Sequence, residues 1–247
     1  MEESYSIQKV EDINLHSRLV RCVKNSLGIK QEEHLSKVHK YIEITNINKM
    51  RLKAIGDLNK NFSAKEVILG IAGQHITSVL GSDLVSQKKL NLSIQMPNDK
   101  TSILDIHTDC VSADSPFQLV LWIPLTDSFD TNSMYICPIE ESVNKIINIK
   151  NSITDKGIYE DPFSEINSNP IEINKDSFLL FSPLAFHGNR LNETNATRIS
   201  LNIRIKNFFA PEPSDKNSDR KLGSYYEILK LSSTTKEAIR LLKNTRW

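Results

Sequence analysis

The 247-residue chain contains only three cysteines, Cys22, Cys110 and Cys137, and no two of them have a CxxC spacing. An odd number without that spacing predicts neither a disulfide framework nor a thiolate zinc site. Long apolar runs and the cationic start of a signal peptide are also missing, so we expect a cytoplasmic protein without a membrane span. With 31 basic and 30 acidic residues, neither sign of charge dominates. This balance predicts no nucleic-acid or membrane partner and requires a local site for any charged ligand.

Residues 1–81 have the apolar spacing of helices, and we assign the whole chain, 1–247, to one domain. The clearest helix is predicted from Ser63 to Gly81, because Ser63-Ala64-Lys65-Glu66 matches a capping box. Other helical segments are predicted at residues 13–27, 35–42 and 50–58. Four histidines in this half are expected to be surface or capping residues, namely His16, His34, His39 and His75.

Residues 82–210 change to short β-like runs bounded by Pro, Asn, Asp and Ser, which predicts a sandwich or barrel. The runs are 90–96, 101–107, 116–125, 133–138, 177–182 and 197–207. The polar stretch at 140–169 is long for a connection and is expected to be a loop over a site. Residues 211–247 are predicted to be a linker followed by two short helices, 224–231 and 234–244. The predicted fold class is therefore mainly β with helical additions.

A histidine and an aspartate lie two positions apart in LDIHTDC, residues 104–110. Alternate side chains of an extended strand share a face, so His107 and Asp109 would point the same way and can bind one ion together. We predict that this pair ends a strand at the mouth of a barrel. The competing interpretation of an isolated HxD is two solvated loop residues.

The run TRISLNIRIKN, residues 197–207, alternates polar and apolar side chains. The polar side chains share one face, and they are Arg198, Ser200, Asn202, Arg204 and Lys206. A hairpin centred between Asn192 and Glu193 would place His187 opposite Arg198 on that face. Solvent explains most such polar faces, but a polar interior that binds a small anion would explain a histidine and an arginine together.

The HxD at 107–109, the later histidine His187 and the Arg-x-Ser at 198–200 resemble the Fe(II)/2-oxoglutarate-dependent oxygenases of the double-stranded β-helix fold. Within them the chain resembles the phytanoyl-CoA-dioxygenase-like branch, and there the oxygenases of bacterial carbohydrate-biosynthesis clusters. The closer resemblance covers residues 63–207, in NLSIQMP, FQLVLWIPLTDSFDTNSMYI and HGNRLNETNATRISLNIRIK. It implies a jelly-roll, cupin-like core backed by the amino-terminal helices.

The resemblance implies that His107, Asp109 and His187 bind iron, while Arg198 anchors the distal carboxylate of 2-oxoglutarate with help from Ser200. The chemistry agrees, since two histidines and one carboxylate on one face of an ion leave positions for a bidentate 2-oxo acid and for O₂. A structural zinc site would be closed by a fourth protein ligand, and none is evident in the sequence. The implied cofactors are Fe(II), 2-oxoglutarate and O₂.

Four further residues are candidates with two interpretations each. The family places an aromatic residue near the co-substrate, which Trp122 would supply, although Trp122 can equally be a core residue. Gln95 and Gln118 interrupt apolar strands and would bind co-substrate or substrate, or satisfy a buried backbone group. Arg204 would receive an anionic substrate or form a buried salt bridge.

The predicted reaction is hydroxylation of a small molecule, with release of succinate and CO₂. The family's halogenating members have glycine or alanine where this chain has Asp109, which disfavours halogenation. Similarity to the carbohydrate-cluster oxygenases implies a sugar, a sugar nucleotide or a glycan precursor as substrate. The alternatives are an amino acid or another natural-product intermediate, or a cupin-like metal-binding protein without oxygenase activity. We expect a monomer or a homodimer.

Overall fold

The computed structural model describes residues 4–112, 115–152, 168–211 and 219–244. Within these ranges the chain is mainly antiparallel sheet with helices. The α-helices are α1 (Ile13–Leu27), α2 (Ile44–Asn61), α3 (Ala64–Leu80), α4 (Ile139–Ser152) and α5 (Ser233–Asn244). The strands are β1 (Tyr5–Lys9), β2 (Leu84–Gln87), β3 (Asn91–Gln95), β4 (Gln118–Pro124), β5 (Met134–Ile136), β6 (Asn169–Ile171), β7 (Ser177–Phe181), β8 (His187–Asn189), β9 (Arg198–Asn207) and β10 (Tyr226–Lys230).

The helix signals of the amino-terminal part are confirmed at residue level. The Ser63 hydroxyl accepts a hydrogen bond from the Glu66 amide at the start of α3. Helix α1 ends at Gly28, whose φ of 72° lies in the left-handed region that favours glycine. Between α1 and α2, residues Leu35–Lys40 form a 3₁₀ helix where helical spacing was predicted.

The larger sheet is antiparallel and centres on β9, with the strand order β1-β7-β4-β9-β2-β10 and with β3 also paired to β9. The apolar face of β9 is fully buried in a cluster that also contains residues of α1, α2 and α3. Its members from β9 are Ile199, Leu201, Ile203 and Ile205. The predicted alternation is therefore confirmed, and the polar side chains of β9 lie on the sheet face away from the helices.

That other face packs on the smaller sheet, whose order is β6-β5-β8. A second apolar cluster joins the two sheets, with Val120 and Trp122 from β4, Phe181 from β7, and Met134 and Ile136 from β5. The polar face of β9 consequently borders an interior between two sheets rather than open solvent. This is the two-layer arrangement predicted as a sandwich or barrel.

Three local predictions are wrong. Residues 187–189 and 198–207 do not form a hairpin, because β8 pairs with β5 in the smaller sheet while β9 pairs with β4, β3 and β2 in the larger one. Residues 226–230 form strand β10 rather than a helix, because the free edge of β2 accepts them. Residues 101–107 contain a 3₁₀ turn at Lys100–Ser102 and a single bridge at His107 rather than a strand.

Several smaller expectations can also be compared with the structure. The first part of the stretch 140–169 is helix α4, and the loop predicted over residues 153–167 lies outside the described residues. His16 is buried, not at the surface, and its Nε2 donates to the carbonyl of Pro124 at 3.0 Å. The three cysteines are thiols rather than disulfides, as predicted, and burial raises the pKa of Cys137 to about 11. In the described part of the chain, none of the helices has the length and apolarity needed to cross a bilayer.

Candidate metal centre

His107, Asp109 and His187 converge at one point between the two sheets. One potential ligand atom from each of them lies within 4.8 Å of the others. The Oδ1 atom of Asp109 is 3.7 Å from Nε2 of His107 and 3.9 Å from Nε2 of His187. The structure thus brings together the three side chains that the sequence selected, although the two histidines lie far apart along the chain.

The backbone positions the histidines by pairing them directly. His107 and His187 form an isolated antiparallel bridge in which each amide donates to the other's carbonyl, at 2.9 and 2.8 Å. Gly188 permits this approach, since a Cβ there would lie 2.7 Å from the carbonyl oxygen of Leu104. Asp109 does not continue the strand but begins a 3₁₀ helix, Asp109–Ser112, which turns its carboxylate back towards both imidazoles.

Both imidazoles present the same nitrogen to the centre. Nδ1 of His107 is 2.8 Å from the carbonyl oxygen of Asp105, and Nδ1 of His187 is 3.0 Å from that of Ala185. A carbonyl only accepts, so each Nδ1 carries the proton and each Nε2 has its lone pair available. The arrangement fixes the tautomer and ring orientation that a metal ligand needs. The ring of Phe181 packs against His187 with its centroid 4.8 Å away.

The electrostatics favour a charged aspartate and a neutral histidine. Burial lowers the pKa of His187 to about 4, so that imidazole is unprotonated at neutral pH. Burial acts to raise the pKa of Asp109, but His107 and the positive charge of Arg204 outweigh it and lower this pKa to about 2. Arg204 makes the closest contact, with Nη2 3.0 Å from Oδ2 of Asp109. Of the two interpretations of Arg204, the structure therefore contains the salt bridge.

Arg198 lies on the same face of β9 as Arg204, but it has no acidic partner in the described part of the chain. Only 4% of its surface is exposed, and burial alone lowers its pKa to about 10. Its Nε atom and the hydroxyl of Ser200 are both buried without a hydrogen-bond partner among the described residues. A buried guanidinium without a counter-charge is costly, so this end of the strand is suited to an anion.

The register separates the remaining candidates into two groups. Gln95 pairs with Arg198 across β3 and β9, and its Oε1 is buried without a partner in the ranges that the structure describes. Trp122 packs in the cluster between the sheets, and the Arg198 guanidinium lies 5.8 Å from its ring centroid, so core packing and contact with the cation occur together. Gln118 instead pairs with Lys206, near the opposite end of β9 from Arg198. Its Oε1 accepts from the Tyr226 hydroxyl.

One residue near the site was not predicted from the sequence. Gln87, at the end of β2, bonds to the backbone of β9 beside Arg204 through its side-chain amide. A glutamine after the short run LVS carries no pattern that marks it, because its role depends on where β2 and β3 end along β9. Asn132 is a turn residue, and its side-chain oxygen accepts from the Phe129 amide at 2.8 Å.

Neither the known protein-family models nor the curated proteins contain a match to this chain. Solved structures do. The chain is similar to the apo form of ThoJ, a non-heme monooxygenase, with a TM-score of 0.59 at 12% identity over 94% of this chain and 82% of that one. The nickel complex of ThoJ gives a TM-score of 0.56 at 14% identity with the same coverage. SnoN, a non-heme alpha-ketoglutarate-dependent epimerase from nogalamycin biosynthesis, gives a TM-score of 0.50 at 12% identity over 93% of this chain and 95% of that one. This chain shares the fold of these non-heme enzymes.

Proposed function

We propose that this protein is an Fe(II)- and 2-oxoglutarate-dependent dioxygenase that hydroxylates a small molecule. The observation that carries the proposal is the pairing of two features on one interior. A His-Asp-His cluster lies beside Arg204 of β9, and Arg198, a buried arginine without an acidic partner among the described residues, lies further along the same face of that strand. A metal-binding protein without a co-substrate needs only the first feature.

The donor set fits a non-haem iron ion. Two imidazole nitrogens and one carboxylate oxygen would supply the three ligands typical of non-haem iron and would leave positions for a co-substrate, whereas a structural zinc site would need a fourth protein ligand. Within the described residues, no other histidine, cysteine or acidic side chain joins His107, Asp109 and His187 in the cluster. These three residues would hold Fe(II) at the interior between the sheets.

The surroundings of Arg198 fit the distal carboxylate of 2-oxoglutarate. A carboxylate there would neutralise the guanidinium, and its oxygens can accept from Nε and from the Ser200 hydroxyl, which have no hydrogen-bond partner within the described ranges. Trp122 and Gln95 border the same guanidinium, the first through its ring and the second through strand register. We assign these four residues to the co-substrate and leave Gln118, beside Lys206, to a different part of the interior.

When bound together, iron, 2-oxoglutarate and O₂ supply an oxidant strong enough to hydroxylate an unactivated C–H bond, with succinate and CO₂ as co-products. The contribution of the protein is positional. His107 and His187 present Nε2 because backbone carbonyls hold their Nδ1 protons. Phe181, Val120 and Trp122 keep the neighbouring interior apolar, which excludes water from the oxidant.

The finer assignments rest on sequence resemblance. We place the protein in the phytanoyl-CoA-dioxygenase-like branch with a double-stranded β-helix core, and we propose a sugar, sugar nucleotide or glycan precursor as its substrate. We propose a cytoplasmic monomer or homodimer without nucleic-acid or membrane partners. Amino acids and other natural-product intermediates, the alternative substrates, belong in the same substrate screen.

An anaerobic titration tests the cofactor assignment. Apo-protein receives Fe(II) and then 2-oxoglutarate while the visible charge-transfer band of the chelated complex is followed. We expect the band in the wild type and its loss in both His187→Ala and Arg198→Ala. His34→Ala and Arg240→Ala are matched controls, since both side chains are exposed and remote in sequence from the cluster.

Two results would contradict the proposal in different ways. Binding of iron without a band would leave a metal site that lacks a co-substrate, which is the cupin-like alternative. A band that survives in Arg198→Ala at unchanged 2-oxoglutarate affinity would remove the role of the buried arginine. If the band behaves as expected, succinate release in the presence of candidate substrates is the assay for the substrate class.

A further inference from the structure

The strand that carries both arginines is interrupted on one edge. On that edge β3 pairs with Arg198–Asn202, and β2 pairs with Ile205–Asn207. Ile203 and Arg204 fall between the two partners, so the backbone groups directed to that edge have no strand of the described chain to pair with there. The interruption lies directly beside the proposed metal centre, because Arg204 is the residue that contacts Asp109.

The side chain of Gln87 fills this interruption. Its Nε2 donates to the carbonyl of Asn202 at 3.2 Å, and its Oε1 accepts from the amide of Arg204 at 3.0 Å. These are the two groups that a paired strand would engage. The hydroxyl of Tyr225 donates to the same Oε1 at 3.0 Å, and only 4% of Gln87 is exposed. One buried amide group therefore holds the backbone of Arg204 in the place of a paired strand.

Arg204 in turn holds one particular oxygen of Asp109. Its Nη2 is 3.0 Å from Oδ2, whereas Oδ1 is the oxygen that lies 3.7 and 3.9 Å from the histidine Nε2 atoms. The guanidinium donates to Oδ2, and Oδ1 is the oxygen that faces the imidazoles. A carboxylate held in this way offers one oxygen to an ion, which leaves room for a bidentate 2-oxo acid.

We propose that Gln87 and Arg204 are positioning residues that hold Asp109 as a one-oxygen ligand. The inference rests on the metal site of the proposed function and adds to it the device that sets the coordination of Asp109. The amide of Gln87 fixes the backbone of Arg204, and the guanidinium of Arg204 fixes the carboxylate. Neither residue touches the ion or the co-substrate in this role.

Cobalt(II) is the probe, because its visible absorption reports coordination without turnover. Apo-protein is titrated anaerobically with Co(II) alone, by calorimetry and by absorption, for wild type, Arg204→Met, Arg204→Lys and Gln87→Leu. Arg204→Met should weaken binding about 10- to 100-fold and change the spectrum as both carboxylate oxygens become free to bind. Arg204→Lys keeps a charge near Oδ2 and should recover most of the affinity. Gln87→Leu should show the same spectral change with a smaller loss of affinity.

Circular dichroism identifies any variant that fails to fold. If Arg204→Met fails, Arg204→Lys and Gln87→Leu decide the matter, because both retain a positive charge near Asp109. A wild type that binds Co(II) and an Arg204→Met that binds it with the same affinity and spectrum would overturn the positioning role alone. A wild type that binds no Co(II) would overturn the metal site and this inference together. Arg240→Met, at an exposed position, is the control for loss of an arginine.

Discussion

Arg198 and Arg204 lie on one face of one strand, but they differ in whether an acidic side chain compensates their charge. Arg204 bonds to the carboxylate of Asp109 at 3.0 Å, whereas Arg198 is buried without an acidic partner in the described residues. A salt bridge completed within the chain does not require an added ligand, since its two charges compensate each other. A buried cation left unpaired reduces stability and requires another reason for its presence. This difference supports the two proposed roles, in which Arg204 orients the carboxylate of Asp109 and Arg198 binds an anion.

The largest effect is expected when the salt bridge between Arg204 and Asp109 is broken, because Arg204 then loses its carboxylate partner. Asp109→Leu removes the counter-charge, so we expect the free energy of unfolding of apo-protein to fall by about 3 kcal/mol, because a partly buried cation loses its partner. The double variant Asp109→Leu, Arg204→Met should recover most of that loss. Urea denaturation measures both. Asp105→Leu is the control, an exposed aspartate whose backbone carbonyl, and not its side chain, accepts from His107. Equal stabilities of the single and double variants would show that the pair is not coupled.

At Arg198 we expect the opposite change, an increase in the free energy of unfolding. Replacing its guanidinium with an apolar side chain in Arg198→Met should raise the free energy of unfolding of apo-protein by about 1 kcal/mol, because this removes a buried charge that has no acidic partner among the described residues. The same change should abolish stabilisation by 2-oxoglutarate in the metal-loaded protein. Urea denaturation with and without the co-substrate separates the two effects. A destabilised Arg198→Met would mean that Arg198 has a structural partner, and the contrast with Arg204 would fail.

The two glutamines sharpen the comparison along the strand. Gln95 lies opposite Arg198, while Gln118 lies opposite Lys206 towards the far end of β9. We expect Gln95→Leu to weaken 2-oxoglutarate binding about fivefold, the value of roughly one hydrogen bond, and Gln118→Leu to leave it within about twofold. Calorimetry on the Co(II)-loaded protein is the measurement. An equal loss of 2-oxoglutarate affinity in both variants would mean that the co-substrate extends past the metal to the end of β9 that carries Lys206.

The residues of the site could be predicted from the sequence better than the pairing of the strands, and the reason is physical. The HxD, the second histidine and the alternation of β9 are local or pairwise patterns, and the structure brings the selected histidines and aspartate together. The hairpin between 187 and 198 was wrong, because sequence neighbours were assumed to pair whereas the chain crosses from one sheet to the other. Gln87 could not be found at all, since it matters only where β3 and β2 leave a gap on β9. Non-local pairing decides such features, and no short window of sequence contains it.

The smallest effect concerns a buried base that, unlike Arg198, can give up its charge. Burial lowers the pKa of His16, whose Nε2 donates to the Pro124 carbonyl at 3.0 Å. The unfolded chain binds this proton more readily than the folded one, so stability is complete above the ordinary pKa of about 6.5 and is lost as the pH falls below it. His187 contributes in the same direction, and therefore the comparison must be with His16→Asn rather than with a calculated curve. Urea denaturation at pH 7.5 and 5.5 should show a smaller loss of stability in the variant than in the wild type. Parallel losses of stability in the two proteins would mean that His16 is protonated without cost and that burial on α1 does not keep this imidazole neutral.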